Sequence, residues 1–425
     1  MRLRYLVPAA LAAVLALAAA LAPAGAAHAW TLKTLYSFCA EAHCTDGSEP
    51  LAGLLRDSSG NLYGTTLVGG THGDGVVFEL AAGHRGLTYK VLHDFCYACG
   101  DGTNPEAGLI IDANGNLYGT TAQSGPTGCG TAFRLSPNAD RSKWKEKTLY
   151  AAPCGFGNNI LTGLTYEGAA TGAPYDGTSP LYGATNMGGT GVGTVYEIVP
   201  KGTKWKEKDL YAFCPSGVSG CTDGRYPGTL IVDAAGNLYG NTLAGGTNSG
   251  GLVYELRPNA KNTKWTEHVL YNFCAVADCT DGGTPEGALV MDNGGNLFGT
   301  TTEPVEQGAV YELTQAGKSW TETVLHTFCS EQNCADGYLP MAGLVLDGAG
   351  NLYGTTDIGG TGDGGTVFQL QGSSFSTLYN FCSASQCGDG SAPQAPLIID
   401  STGNLYGTTA SGGADDNGTV FELSP

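Results

Sequence analysis

The feature that most constrains this chain is that it repeats itself. Leu-Tyr-Gly recurs at Leu62, Leu117, Leu181, Leu238, Leu352 and Leu405, with Leu-Phe-Gly at Leu297, so seven copies follow one another at spacings of 53 to 64 residues. A unit of that size is one supersecondary element that cannot bury its apolar faces alone and has to stack on its neighbours. Each copy holds four short strand-like runs separated by Gly, Asp and Pro turn signals, and no helical period appears after residue 29. Four antiparallel strands repeated radially predict an all-β, seven-bladed β-propeller. A β-solenoid ranks behind it, because solenoid coils are shorter and leave an open end that needs a cap.

The runs can be placed within a blade. Ala-Gly-Leu at Ala52, Ala107 and Ala342 carries the smallest side chains. Blades converge on an axis where only small residues fit, so this run is strand a, the innermost. Asn-Leu-Tyr-Gly-Thr is strand b and Thr-Val-Phe-Glu-Leu is strand c. Trp-x-Glu-x-x-Leu-Tyr-x-Phe is strand d, the outermost, clear at Trp144, Trp205, Trp265 and Trp320. The a–b turn reads Asp-x-x-Gly-Asn, as at Asp112 and Asp233. One carboxylate in so short a turn suits amide capping better than a calcium loop. Residues 30–38 match strand d but precede the first strand a, and the last copy ends on strand c at Leu423. The segment Thr31–Phe38 is therefore expected to pair with Thr419–Leu423, completing the last blade and removing two open edges.

The whole unit, Gly-Asn-Leu-Tyr-Gly-Thr-Thr through Gly-Thr-Val-Phe-Glu-Leu to Leu-Tyr-x-Phe, resembles the GloVer tandem repeat of bacterial exported "choice-of-anchor" proteins. The resemblance covers nearly all of residues 30–425. It implies export and repetition and implies no particular chemistry. Members often carry a C-terminal sorting anchor, and the sequence ending at Pro425 departs from that pattern, which puts surface attachment in doubt.

Residues 1–29 read as a signal peptide: Arg2 and Arg4, an apolar run from Ala9 to Leu21, and a small-x-small site at Ala27-His28-Ala29. Residues 30–425 are then one propeller domain, exported to the periplasm or the extracellular space, with no membrane insertion after cleavage and a monomeric state. A formal net charge of −19 repels nucleic acid and anionic lipid and suits a cation, a neutral sugar or a basic partner.

An exported chain with 14 cysteines reads as a disulfide framework. Local pairs follow strand d. Cys39 is expected to bond Cys44, Cys96 to bond Cys99, and Cys214 to bond Cys221. Cys274 is expected to bond Cys279, Cys329 to bond Cys334, and Cys382 to bond Cys387. Cys129 and Cys154 remain, in a b–c and a d–a loop that emerge on one face, and are expected to pair. Zinc is the rival reading, but each loop offers only one cysteine pair and no nearby pair of histidines. The d–a loops also carry Asp46, Asp101, Asp223, Asp281, Asp336 and Asp389, each followed by Gly. Duplicated turn chemistry is the plain reading. The sharper one is an acidic mouth that holds a cation, calcium among them, or hydrogen-bonds sugar hydroxyls. No other cofactor is implied. Basic residues crowd instead into the c–d hairpins, from Arg141 to Lys147, Lys201 to Lys208 and Lys261 to Lys264, which places them on the opposite face.

Enzyme signatures are poor: no nucleophile elbow, no phosphate loop and scattered histidines. Copy three is irregular, with an insertion over Tyr166 to Pro180, and copy five replaces Gly-Gly by Glu303 to Glu306. The expected function is a non-enzymatic binding or scaffold propeller with a carbohydrate or protein ligand. The alternative is an extracellular glycan hydrolase or lyase that uses carboxylates of the acidic mouth.

Overall fold

Strand b is buried along its whole length in every blade, at Leu62–Thr66, Leu117–Thr121, Leu181–Thr185, Leu297–Thr301, Leu352–Thr356 and Leu405–Thr409, and over the first five residues of Leu238–Ala244. Its middle glycine is sterically required. A Cβ on Gly64 would lie 2.5 Å from Phe78 Cζ of strand c, and Gly407 meets Phe421 in the same way. The tip of the aromatic side chain of each strand c reaches over that glycine, which lets two inner strands approach without a void.

The computed structural model describes residues 30–83, 86–152, 162–187, 192–202, 204–215, 220–303 and 307–425. The expected signal, residues 1–29, lies outside them. The described strands form seven antiparallel sheets in the order a-b-c-d, a seven-bladed propeller. Blade 1 spans Leu55–Asp94, blade 2 Ile110–Ala151, blade 3 Thr165–Ala212, blade 4 Arg225–Asn272, blade 5 Val290–Thr327 and blade 6 Val345–Asn380. Blade 4 adds a fifth short strand, Arg225–Pro227, along its strand b. Blade 7 is composite. Its strands a to c come from Ile398–Ser424 and its strand d is Thr31–Ser37, paired from Thr31 with Ser424 to Ser37 with Thr419. The expected closure is what the fold contains.

The core sits between blades rather than within them. Seven buried clusters each take residues from two neighbours, so Tyr63, Val77 and Phe95 of blade 1 pack on Leu109, Leu117 and Phe133 of blade 2. Strand b alternates accordingly: Leu62 faces blade 7 and Tyr63 faces blade 2. A second link runs round the ring near the axis. Thr120 Oγ1 donates to Thr162 O at 3.0 Å, Asn241 Nδ2 to Gly287 O at 2.8 Å and Thr300 Oγ1 to Ala342 O at 3.0 Å, each on the next blade. Thr408 Oγ1 reaches Ala52 O at 3.3 Å and joins blade 7 to blade 1, while blade 3, with Ala184 at this position, has no hydroxyl to offer blade 4. Every c–d pair carries a bulge at the same place, as between Val77 and Phe78, which re-aims the outer end of strand d toward the neighbouring blade.

The two faces separate as expected. The d–a and b–c loops hydrogen-bond each other on one face, with Ser48 N donating to Val68 O at 3.0 Å. The c–d hairpins lie with the a–b turns on the other, where Arg141 Nη2 donates to Tyr63 Oη at 2.8 Å. Among the described residues no helix is long and apolar enough to cross a membrane.

Candidate functional site

The residues just before each strand a meet at the axis. A cavity of about 480 Å³ opens there, walled by Ala52, Gly53, Ala107, Gly108, Gly163, Thr229, Gly287, Ala288, Ala342, Gly343 and Pro396, with contributions from all seven blades. The small residues predicted for strand a therefore do line the axis. In the Pro-x-Ala-Gly motif, position x supplies the larger side chains of the mouth: Leu51, Glu106 and Met341, with Glu286 in the related Pro-x-Gly-Ala of blade 5 and Gln394 in the Pro-x-Ala-Pro of blade 7. No basic residue lines the cavity among the described residues.

Two carboxyl groups thus stand in an otherwise uncharged chamber. Burial pushes both Glu106 and Glu286 up from the usual carboxylate range, and the nearby charge of Asp357 adds to the rise at Glu286. Asp357, on the b–c loop of blade 6, is itself raised by burial and accepts from Gln394 Nε2 at 3.0 Å. Glu286, Asp357 and Gln394 form a polar arc over three consecutive blades. Sequence reasoning passed over Glu106 and Glu286 because single acidic residues in a loop motif look like drift. Their signal was positional: x is the variable site in a motif whose neighbours are fixed by the axis.

The six aspartates of the d–a loops sit elsewhere, and none of them lines the axial cavity. The side chains expected to form an acidic mouth turn into their own loops. Asp46, Asp281, Asp336 and Asp389 are buried beneath the disulfide turns, and Asp101 and Asp223 are half-buried. Asp46 accepts from Tyr36 Oη at 2.6 Å and from the Ala40 amide at 3.0 Å. Asp281 accepts from Tyr271 Oη and the Ala275 amide, both at 2.8 Å, and Asp389 from Tyr379 Oη at 2.7 Å and the Ser383 amide at 3.0 Å. Asp223 takes Tyr211 Oη at 3.0 Å and the Cys214 amide at 2.9 Å. His93 and His326 replace tyrosine beside Asp101 and Asp336, at 2.9 and 3.1 Å. Oxygens surrounded by N–H and O–H donors hold a carboxylate in place, and such a donor set does not fit a calcium ion. The a–b turn aspartates act alike: Asp112 accepts from the Asn114 and Asn116 amides at 2.9 Å and from Asn116 Nδ2 at 2.7 Å.

All six local disulfides form. Cys39 is bonded to Cys44, Cys96 to Cys99 and Cys214 to Cys221. Cys274 is bonded to Cys279, Cys329 to Cys334 and Cys382 to Cys387. These cysteines staple the loops and line no part of the axial cavity, so their role is structural. Cys129 is also disulfide-bonded, while its expected partner, Cys154, lies outside the described residues. Among the described residues one grouping of metal-ligating type, Cys274, Cys279 and Glu303, spends both sulfurs in a disulfide. The insertion of copy three folds back on blade 2, on the face opposite the axial cavity. The Tyr175 amide donates to Ile111 O at 2.9 Å and its buried ring packs edge-on against Tyr118 and Tyr166. In copy five, residues 304–306 lie outside the described residues.

The repeat is matched by the Gloeobacter/Verrucomicrobia repeat over residues 21–173, 159–347 and 305–425. The chain belongs to that family. No curated protein sequence matches it. Among solved structures, one titled as a puromycin-hydrolyzing peptidase of Mycobacterium tuberculosis aligns with a TM-score of 0.52 at 12% identity. The alignment covers 92% of this family member and 54% of the peptidase chain, so this chain spans about half that protein's length. A likeness at that identity concerns the fold alone.

Proposed function

We propose that this chain is an exported, non-enzymatic binding or scaffold propeller whose ligand, a carbohydrate or a protein segment, enters the axial cavity on the disulfide-stapled face. The observation that supports the reading is the cavity itself: about 480 Å³, apolar and small-walled, with a few convergent polar groups at Glu106, Glu286 and Gln394. Hydroxyls or amide N–H groups of a ligand would find acceptors there and no competing cation. The six disulfides fit an oxidising compartment, in keeping with export. A glycan array and a peptide array probed with the purified mature chain test the proposal. A ligand found this way should be lost in the double variant Leu51→Trp with Met341→Trp, which narrows the mouth; unaltered binding by that variant rejects the axial site.

A glycan hydrolase or lyase is the second reading, favoured by one feature. Glu106 and Glu286 are raised by burial, as a general acid needs. New reducing ends released from an array glycan, and lost in Glu286→Gln, would establish it in place of simple binding.

A further inference from the structure

The charge of this protein is unevenly placed. The chain has 20 Lys and Arg against 39 Asp and Glu, yet half of the basic residues fall in three segments, 141–147, 201–208 and 261–264. These are the c–d hairpins of blades 2, 3 and 4, with the adjoining strands d of blades 2 and 3, three consecutive blades on the face opposite the axial cavity. We infer that this outer rim is a docking platform for an acidic polysaccharide.

The plain explanation of lysines on strand d is protection of an exposed sheet edge. The other blades answer it. Strand d of blade 5 carries Thr321 and Thr323 where blade 2 carries Lys145 and Lys147, and blade 6 carries Ser374 and Ser376. Those edges are equally outermost and do without lysine. The lysines on strand d of blades 2 and 3 therefore need a cause other than the fold, while blade 4, with Thr266 and His268 at those positions, keeps its lysines in the hairpin.

The lysines are also left available. Lys143, Lys145, Lys204, Lys206, Lys261 and Lys264 are exposed, and none enters an ion pair among the described residues. Three acidic residues of the same strands are drawn inward, while Asp209 of blade 3 and Asp140 of the blade 2 hairpin stay exposed. Glu146, Glu207 and Glu267 are half-buried, and burial pushes their carboxyls up, so they offset little of the surface charge.

The platform is built in advance. In blade 2 the Asn138 amide donates to Lys143 O at 2.9 Å while the Lys143 amide donates to Asn138 Oδ1 at 3.0 Å. Blade 4 repeats the hairpin, with the Asn259 amide on Lys264 O and the Thr263 amide on Asn259 Oδ1, both at 2.9 Å. A lysine of the preceding blade clasps each loop. Lys90 Nζ donates to Arg141 O at 2.6 Å, and Lys208 Nζ to Asn262 O at 2.9 Å. The backbones of these two loops are therefore set before binding, which leaves the lysine side chains as the part still to be ordered.

Lysines two residues apart on one edge lie roughly 7 Å apart along the strand, and the row turns from blade to blade. Point charges in an extended arc suit a linear polymer with repeated carboxylates or sulfates. A lipid surface fits less well, since the large exposed apolar residues, Tyr97, Met187, Val269 and Val276, all lie away from the hairpin tips. Nucleic acid fits less well because the tips show no exposed aromatic ring on which bases could stack.

The test is retention of the mature chain on immobilised heparin and polygalacturonate at about 50 mM salt, where screening is weak. Wild type is expected to bind despite its net charge. Replacing Lys143, Lys145, Lys204, Lys206, Lys261 and Lys264 by Thr, the residue blade 5 already uses, is expected to weaken binding at least tenfold and flatten its salt dependence, with an unchanged melting temperature. The double variant Lys145→Thr with Lys206→Thr should weaken binding more than Lys33→Thr with Lys318→Thr, which has the same net charge. The inference is overturned if neither polysaccharide retains wild type, if the two double variants lose equally, or if only polyphosphate or anionic lipid vesicles bind.

Discussion

At the junction of blades 7 and 1, Tyr89 stacks on Tyr36 with ring centroids 4.0 Å apart, and at the junction of blades 5 and 6, Phe375 stacks on His326 at 3.8 Å. At the four junctions from blades 1 and 2 to blades 4 and 5, the same position of strand d holds Glu146, Glu207, Glu267 and Glu322. The neighbouring blade offers the same kind of ring in both cases: His93, Tyr150, Tyr211 and Tyr271 face the glutamates. One backbone geometry thus accepts two chemistries. The aromatic junctions gain dispersion and apolar burial. The glutamate junctions place a carboxyl where burial pushes it to about 7 at Glu207, Glu267 and Glu322, with Asp209, Asp223 and Asp281 respectively adding repulsion. Glu267 Oε1 and Glu322 Oε1 are buried without a hydrogen-bond partner, as are the phenols of Tyr254 and Tyr311 on strand c of the same blades. The lesson is that the ring is closed unevenly: part of it is indifferent to pH and part of it is not.

The largest expected effect is at an aromatic junction. Tyr89→Ala removes a ring stacked across the closure and should cost about 3 kcal/mol in urea unfolding, while Glu267→Ala at pH 8 should cost under about 1 kcal/mol. Equal losses would mean that the two kinds of junction contribute alike.

Next comes pH. The three glutamates titrate higher in the folded chain than the ~4.3 of an unfolded one, so the native state binds more protons between those values. Their contribution is fully present below about pH 4 and is lost as pH rises through 7. On the acid side, Asp400 limits stability: burial opposes its ionisation, but hydrogen bonds from Thr402 and Asn404 hold it at about 2, so its contribution fades as pH falls below about 4. We expect stability to decline by on the order of 2 kcal/mol from pH 5.5 to 8.5, a figure already reduced for solvent screening at half-exposed sites. The triple variant Glu207→Gln, Glu267→Gln and Glu322→Gln should flatten that slope in a series of unfolding curves; an unchanged slope would remove the glutamates as its source.

The smallest effect is a gain. A tryptophan at the start of strand d wedges against strand b of the blade before it, as Trp205 does on Tyr118 and Trp30 on Tyr353, with centroids 6.4 and 6.5 Å apart. Blade 1 has Leu87 there, and a cleft of about 190 Å³ lies between it and Tyr406. Leu87→Trp should fill the cleft and add roughly 0.5–1 kcal/mol, read as a higher urea midpoint. A lower midpoint would show that the backbone of the closing junction differs from the others.

Much of the architecture was legible because it is local or repeated. Strand assignment followed from turn residues and from Gly64 and its equivalents, the disulfides from short spacings such as Cys39 to Cys44, and closure from a strand d with no blade at one end and a blade with no strand d at the other. The acidic loops were visible too, but their use was not. Asp46 looks the same in sequence whether its oxygens meet a ligand or the Ala40 amide and Tyr36 Oη, and only the fold brings those donors to it.

The sequence by itself determined the number of blades, their strand order, the composite last blade and the placing of the d–a loops and the lysine-rich c–d hairpins on opposite faces, since each depends on period, strand alternation and turn chemistry carried within one copy. Tertiary structure alone decided which residues meet across copies. Glu106 and Glu286 share a cavity because blades 2 and 5 converge on one axis, and Glu267 lies against Tyr211 because strand d of blade 4 packs on that of blade 3. Such encounters join positions more than fifty residues apart in the chain. They depend on how seven nearly identical sheets close, and no single copy encodes that geometry.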